Sequence, residues 1–418
     1  MFASRSSLWT DFNCVDGEQT RIYLKRSKTY PINLSLKRSE GVLPDDPLFQ
    51  IIPHATGRLK SLSIRGTPGG IEAITPHLSH PAPLLECLSI YAGYRDMSKH
   101  HPALTSALFN GDLSSLRILY LGFARTELPW RNMVNLTSFG LAHTPPGAIS
   151  VGQLLDFFES APHLREVTLT FATPTAGAQN GRLVSMACLK NMYIDGYNPS
   201  SVLLEHLLIP VGAELETRVN LLDSLIGEHL PRSLDNLKNL SNFNAIELYL
   251  GEHYPRIGFN GPNGQVTTVL RASEVHRTDL VLGSLTGLDT SKIERLEINR
   301  GEGLWSPLYQ ALLSMKNLRS LTLFMCTCSD NFARALNPCI DSSEVVVCPE
   351  LEELVIVIQV QGHIFRIKDI VEMAAARALR GKKLRTIKIF DGRVMASMDV
   401  SALKKHVWEV EYSCEERS

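Results

Sequence analysis

Residues 151–170 read VGQLLDFFESAPHLREVTLT, and this stretch decides the fold. Its first half places Leu154, Leu155, Phe157 and Phe158 as an apolar stripe at helical period. Ala161 and Pro162 end that helix, because a proline lacks the N–H that would continue it. From Leu164 the period changes: Leu164, Val167 and Leu169 are apolar while Arg165, Glu166 and Thr168 are polar, which describes a short strand with one face in a core and one in water. Helix followed directly by strand predicts parallel pairing with the next strand.

The strand half of this stretch is one copy of a phrase: an apolar residue, two variable positions, a second apolar residue, one variable position and a third apolar residue. It starts at Leu59, Leu85, Leu116, Leu136, Leu164, Leu189, Phe243, Ile293, Leu318, Leu351 and Leu384. Apolar positions alone are weak support in a chain that is 44% hydrophobic. The second position is stricter. Lys60, Glu86, Arg117, Arg165, Lys190, Glu294, Arg319, Glu352 and Arg385 are charged, with Thr137 and Asn244 the exceptions, in a chain only 20% charged. A charge just inside each strand and apolar residues at the fourth and sixth positions are the core of a leucine-rich repeat. The expected fold is therefore α/β: an irregular leucine-rich-repeat solenoid with parallel strands on the concave face and helices on the convex face.

The intervals between starts are 26, 31, 20, 28, 25, 54, 50, 25, 33 and 33 residues. Most lie near the roughly 20–29 residues of such repeats, and the two long gaps are expected to hide irregular ones. The ninth position, usually Asn or Cys, reads Thr67, Gly93, Ala124, Thr144, Ala172, Tyr197, Gly251, Gly301, Cys326, Gln359 and Gly392, so only Cys326 fits. An irregular superhelix without the regular internal ladder is expected. Further helices are predicted over Val202–Leu208, Phe332–Leu336 and Ile370–Leu379, a surface loop or hairpin turn over Tyr254–Gly264, and a final edge strand over Val407–Tyr412 before the charged tail Glu415–Arg417.

Before the first phrase lie SLWTDF from Ser7 to Phe12, a short amphipathic helix over Glu18–Ser27, and the alternating PINLSL of residues 31–36. Residues 1–40 are taken as a separate N-terminal remnant and cap, and residues 41–418 as the solenoid with its C-terminal cap.

Composition narrows the function. Forty-two Lys and Arg balance 43 Asp and Glu, so nothing draws the chain to nucleic acid or acidic lipid. The start lacks a basic segment followed by an apolar run, and no stretch approaches the roughly 18 apolar residues of a membrane helix; a cytoplasmic or nuclear protein is expected. Cys326, Cys328, Cys339 and Cys348 could supply four thiolates, but their spacing lacks paired CxxC knuckles, so core or loop thiols are the preferred reading and no metal or cofactor is expected. His100 and His101 adjoin Pro102 and read as a solvated pair; Asp45 and Asp46 lie between prolines and read as turn residues. No catalytic motif emerges, and no enzymatic activity is expected.

What remains is a surface. Alternation turns the third, fifth and seventh residues of each phrase away from the core. Tyr91, Tyr120, Tyr193, Tyr249, Phe324 and Phe390 occupy such positions and are the candidate partner-binding residues, since outward aromatics act as anchors in protein interfaces. The competing reading is that they pack against loops or against one another across neighbouring strands.

SLWTDF, RIYLKRSKTYPINLSL, FFESAPHLREVTL and VVVCPELEELVI, taken in that order over nearly the whole chain, resemble the fungal F-box-like leucine-rich-repeat proteins. The resemblance implies that Leu8 and Trp9 close the tail of an F-box, and that the repeats form the substrate-recognition array of a ubiquitin-ligase adaptor. An F-box is a helical module of roughly forty-five residues, and only six precede Ser7. The implied partners are an unknown protein substrate and, only with the missing F-box restored, a Skp-type adaptor. The alternative is a stand-alone scaffold or regulator without a ubiquitin link.

Overall fold

A computed structural model describes residues 9–14, 17–37, 52–93, 101–104, 108–126, 133–145, 147–172, 174–175, 177, 181–196, 201–220, 236–237, 243–249, 256–261, 264–271, 285, 290–299, 306–324, 329–337, 346–358, 366–391 and 400–413. The chain divides into two compact units, Met1–Ala213 and Glu214–Ser418. Both are mixed α/β with parallel-strand sheets.

In the first unit, β1 (Asp11–Cys14), β2 (Ile32–Lys37), β3 (Leu59–Gly66), β4 (Cys87–Ala92), β6 (Ile118–Gly122), β8 (Ser138–Ala142), β9 (Glu166–Thr170) and β11 (Asn191–Gly196) pair in that order, each parallel to the next. Two small parallel pairs stand apart from this sheet: β5 (Ala103–Leu104) with β7 (Arg125–Thr126), and β10 (Val184–Ser185) with β12 (Leu207–Leu208). The helices are α1 (Gly17–Ser27), α2 (Pro68–Ile74), α3 (Val151–Ser160) and α4 (Ser201–Leu204). Helix α3 starts at a capping box, in which the Gln153 N–H donates to Ser150 Oγ and the Ser150 N–H donates to Gln153 Oε1. Its stripe of Leu154, Leu155, Phe157 and Phe158 is buried, with Phe139 of β8 against Phe157 at 4.4 Å between ring centres.

In the second unit, β13 (Glu214–Asn220), β14 (Ala245–Tyr249), β15 (Arg256–Gly261), β16 (Gly264–Arg271), β17 (Arg295–Asn299), β18 (Ser320–Phe324), β19 (Glu353–Ile358), β20 (Thr386–Asp391) and β21 (Glu409–Ser413) form the sheet, with α5 (Ser306–Ser314), α6 (Ser329–Leu336) and α7 (Ile367–Leu379). From β14 through β17, β18, β19 and β20 to β21 every pairing is parallel. On the other side of β14 the hairpin β15–β16 pairs antiparallel, and β13 then lies parallel to β16.

The phrase explains the core. At all eleven starts the first, fourth and sixth residues are buried, from Leu59, Leu62 and Ile64 to Leu384, Ile387 and Ile389. A turn common to eight of them precedes the strand: the first-position N–H donates to the carbonyl three residues earlier, as in Leu85 to Ala82, Leu136 to Met133 and Leu351 to Cys348, at 3.0 to 3.1 Å. The charged second position marks where neighbours lock together. The Glu86 N–H donates to the Lys60 carbonyl, Arg117 to Glu86, Thr137 to Arg117, Arg165 to Thr137 and Lys190 to Arg165, each at 2.8 Å. The series repeats in the second unit from Asn244 to Glu409. Side chains reinforce it, with Asn135 Nδ2 on the Ser114 carbonyl at 2.7 Å and Asn317 Nδ2 on the Ser291 carbonyl at 2.6 Å. A ladder of backbone bonds thus runs at the mouths of the strands from Lys60 to Lys190 and from Asn244 to Glu409.

Other expectations are adjusted. The helix expected over Val202–Leu208 is a single turn ending at Leu204, because residues 207–208 pair with β10. Of the surface loop or hairpin turn expected over residues 254–264 the structure has the hairpin: β15 turns into β16 between Gly261 and Gly264, and Ile257 and Phe259 are buried opposite Leu248 and Ile246. The long gap from Phe243 to Ile293 therefore holds a hairpin. The strand expected over Val407–Tyr412 lies at Glu409–Ser413, beside β20.

The N-terminal stretch joins the first sheet. Trp9 and Phe12 pack on Tyr23 of α1, with ring centres 5.1 Å apart in both pairs, and the Arg26 guanidinium lies over the Trp9 ring at 4.4 Å. Arg58 reaches back to Ser27 Oγ at 3.1 Å and to the Lys28 carbonyl, satisfying acceptors at the end of α1. No helix among the described residues is long and apolar enough to cross a membrane.

Candidate functional site

The six candidate aromatics divide into two sets of three, one on each unit, and all six are half-buried. Register fixes their neighbours. In the first unit the fifth positions form a row, Ser63, Ser89, Tyr120, Gly140, Thr168 and Tyr193, and the seventh positions a second, Arg65, Tyr91, Gly122, Ala142, Thr170 and Asp195. Each of the first two tyrosines stands beside a glycine on the next strand, and lies over it. A Cβ at Gly122 would fall 2.5 Å from Tyr91 Cδ2, and one at Gly140 would fall 2.3 Å from Tyr120 Cδ2. Both distances are far inside contact, so the absence of a side chain at 122 and 140 is what admits the rings. Tyr91 and Tyr120 therefore pack across strands on Gly122 and Gly140, and each remains part-exposed.

Beyond the strand ends stands a ladder of rings. The Tyr91 ring meets Phe123 edge-on at 5.3 Å; Phe123 stacks on His143 at 4.2 Å with 6° between planes; His143 stacks on Phe171 at 4.8 Å. Phe123, His143 and Phe171 are the eighth residues of three successive phrases, where alternation would send side chains into the core. Their φ angles of 56°, 51° and 48° turn the backbone left-handed instead and bring the rings into register. The cost of that conformation, about 1–2 kcal/mol per residue, is offset by a backbone bond at each step. The Phe123 N–H donates to the Ala142 carbonyl at 2.8 Å, that of His143 to the Thr170 carbonyl at 2.6 Å, and that of Phe171 to the Asp195 carbonyl.

Polar groups gather at the far end of this ladder. Asp195 is buried at 4% exposure, and the Tyr193 hydroxyl donates to its Oδ2 at 3.1 Å. Burial lowers the His143 pKa from its ordinary value, with Asp195 opposing; burial raises that of Tyr120, Tyr91 adds to the rise and Arg65 opposes it. At the carboxyl ends of β4, β6, β8, β9 and β11 the half-buried rings of Tyr91, His143, Phe171 and Tyr193 thus cluster around the buried Phe123 and Asp195.

On the second unit Tyr249, Phe324 and Phe390 share the seventh-position row, separated by Asn299 and Val357. Neighbouring strands lie about 4.8 Å apart, so these rings recur every ~10 Å. Beside them Lys388 Nζ sits 3.0 Å from Glu353 Oε1, and Ser320 Oγ donates to Glu353 Oε2 at 2.9 Å. Lys388 and then Ser320 hold the Glu353 carboxyl below its ordinary pKa.

The eighth-position rings fall outside the outward third, fifth and seventh positions; three aromatic or imidazole side chains at one position in three consecutive phrases are the signal the sequence offers. His101 is half-buried, with Nδ1 3.3 Å from the Phe123 carbonyl, and is no solvated pair member; His100 lies outside the described residues, as do Asp45 and Asp46. Of the four clustered cysteines only Cys348 is described. It is buried and donates to the Leu312 carbonyl at 3.3 Å, and among the described residues no group of three or more His, Cys, Asp or Glu could hold a metal ion. No protein-family profile matches this chain, and no curated protein matches it.

Proposed function

We propose that the chain is a leucine-rich-repeat solenoid acting as a protein-protein interaction module, in the manner of the substrate-recognition array of an F-box ubiquitin-ligase adaptor. The observation that carries this reading is the in-register aromatic ladder Tyr91, Phe123, His143 and Phe171 beside the half-buried Tyr193 and its hydrogen bond to Asp195, a preformed array at the carboxyl ends of parallel strands with Tyr91, His143, Phe171 and Tyr193 part-exposed. On this reading the chain selects a partner and performs no chemistry, needs no cofactor, and works in the cytoplasm or nucleus.

The partner is identified by proximity labelling with the full chain, then tested with Tyr193→Ala and Phe171→Ala. Loss of the same labelled protein in both variants, each still folded and unfolding cooperatively on heating, supports the reading. Unchanged labelling by both refutes the face. The ubiquitin link has its own test: a fusion carrying an F-box ahead of Trp9 should bring the labelled protein to a Skp-type adaptor and raise its ubiquitylation. A partner whose ubiquitylation stays unchanged favours the stand-alone scaffold.

A further inference from the structure

A second surface of the first unit lies at the opposite, amino-terminal ends of the same strands. There the turn before each phrase and its second and third residues enclose a groove of about 980 Å³. Its chemistry is uneven. Toward β4, Leu84 and Ile118 are 46% and 44% exposed, large apolar side chains left facing water. The charged second positions line the remainder. Lys60 and Glu86 form an ion pair at 3.7 Å and cancel locally. Arg117 and Arg165 are exposed, and neither has a salt bridge or side-chain hydrogen bond among the described residues. Uncharged Thr137 separates them, and its Oγ1 is held on the Arg117 carbonyl at 3.1 Å.

We infer that this groove binds an extended, acidic-apolar segment of a partner protein, with two carboxylates three residues apart on Arg117 and Arg165 and a neighbouring apolar side chain on Leu84 and Ile118. The spacing carries the inference. The two arginines head strands two steps apart, about 9.6 Å across the sheet, and a segment in polyproline II conformation returns its side chains to the same side every three residues, a rise of about 9.3 Å. Each guanidinium offers a fork of donors matched to a carboxylate. Glu166, the third residue of the phrase on β9, lines the same groove and repels any further acid, so the groove selects spacing rather than total negative charge. The inference shares with the interaction-module reading only that the ligand is a polypeptide, and its surface is distinct from the aromatic ladder.

The test uses the full chain and fluorescein-labelled peptides in an anisotropy titration. Ala-Leu-Ala-Glu-Ala-Ala-Glu-Ala should bind at least tenfold more tightly than Ala-Leu-Ala-Glu-Glu-Ala-Ala-Ala and than the same peptide with Gln for Glu. Arg117→Gln with Arg165→Gln should abolish the difference, and both are exposed substitutions that leave the fold in place. Cys188, exposed on the groove wall, supplies an independent readout: the spaced peptide should slow its alkylation at least threefold. Equal binding of the two acidic peptides, undiminished binding by the double variant, or unslowed alkylation overturns the inference. Because no natural partner is involved, such a failure leaves the aromatic-face reading standing, and failure of that reading leaves this one.

Discussion

Replacing Gly140 by alanine adds one methyl group to a sheet face, an ordinarily mild change that favours β structure, since glycine in a strand costs roughly 0.5–1 kcal/mol relative to alanine. Here the sign should reverse. The new Cβ would meet Tyr120 Cδ2 at 2.3 Å and Cε2 at 2.8 Å, where carbon atoms normally approach to about 3.5–4.0 Å. The ring must move by more than 1 Å, and the Tyr91 ring beside it limits where it can go. Re-exposing about 60 Å² of ring at about 25 cal/mol per Å² costs about 1.5 kcal/mol, within the ~1–3 kcal/mol typical of overpacking. Urea unfolding of Gly140→Ala should therefore show a loss of about 1–2 kcal/mol. The decisive comparison is Tyr120→Ala with and without Gly140→Ala, read as a double-mutant cycle. With the ring gone the methyl group should be neutral or stabilising by about 0.5 kcal/mol, giving a coupling of about 2 kcal/mol between the sites. Additive effects within about 0.3 kcal/mol would refute the packing of Tyr120 on Gly140 and with it the account of why a tyrosine and a glycine share this row.

Four further outcomes are expected. Arg377 is fully buried on α7 and donates to the Val347 and Cys348 carbonyls at 2.8 Å each; Leu351 N–H also serves Cys348, so Arg377→Met strands chiefly Val347 and should cost about 2–3 kcal/mol in urea unfolding, while Arg377→Lys keeps part of that. His143 has its pKa lowered by burial, so the unfolded chain binds the proton more readily: stability should be full above about pH 6.5 and decline as pH falls below it, and His143→Phe should flatten that part of a pH–stability profile while keeping the stack. Tyr193→Phe removes the donor to Asp195 and should destabilise the first unit by about 1 kcal/mol, measured by thermal unfolding. Burial pushes the Cys348 thiol up to about 12, so mass spectrometry of the native chain after iodoacetamide treatment should find Cys188 modified and Cys348 intact.

Much of the fold was legible because two signals coincided at each phrase. Apolar first, fourth and sixth residues state which face is buried, and a charge at the second states where the strand starts; both follow from a side-chain period of two. The same rule hid the eighth-position rings. Alternation assigned Phe123, His143 and Phe171 to the core, and only a left-handed φ, which no composition rule announces for these residue types, turns them into a ladder. The pre-strand turn was overlooked because residues three before each start, such as Leu113, Met133, Ala161 and Met186, share burial without sharing a residue type. At residues 254–264 the sequence left a loop and a hairpin turn both open. Pro255, Gly258, Gly261, Pro262 and Gly264 are turn formers, and what makes residues 256–261 a strand is pairing on both sides, information carried by residues distant in sequence. Of the candidate site, the outward tyrosines were readable from position alone, whereas their seating on Gly122 and Gly140 required knowing which residues face each other across strands.

That hairpin also imposes an arithmetic on the second unit. Strand β13 runs parallel to β16, β16 runs against β15, and β15 runs against β14, so the two reversals cancel and β13 points the same way as β14. Parity is conserved: a cassette of two strands can be added or removed between them without inverting the polarity of anything beyond, whereas one strand alone would leave the next facing backwards. Length variation at this place should therefore come in even steps, and a variant lacking residues 256–271 could rejoin β13 to β14 as direct parallel neighbours.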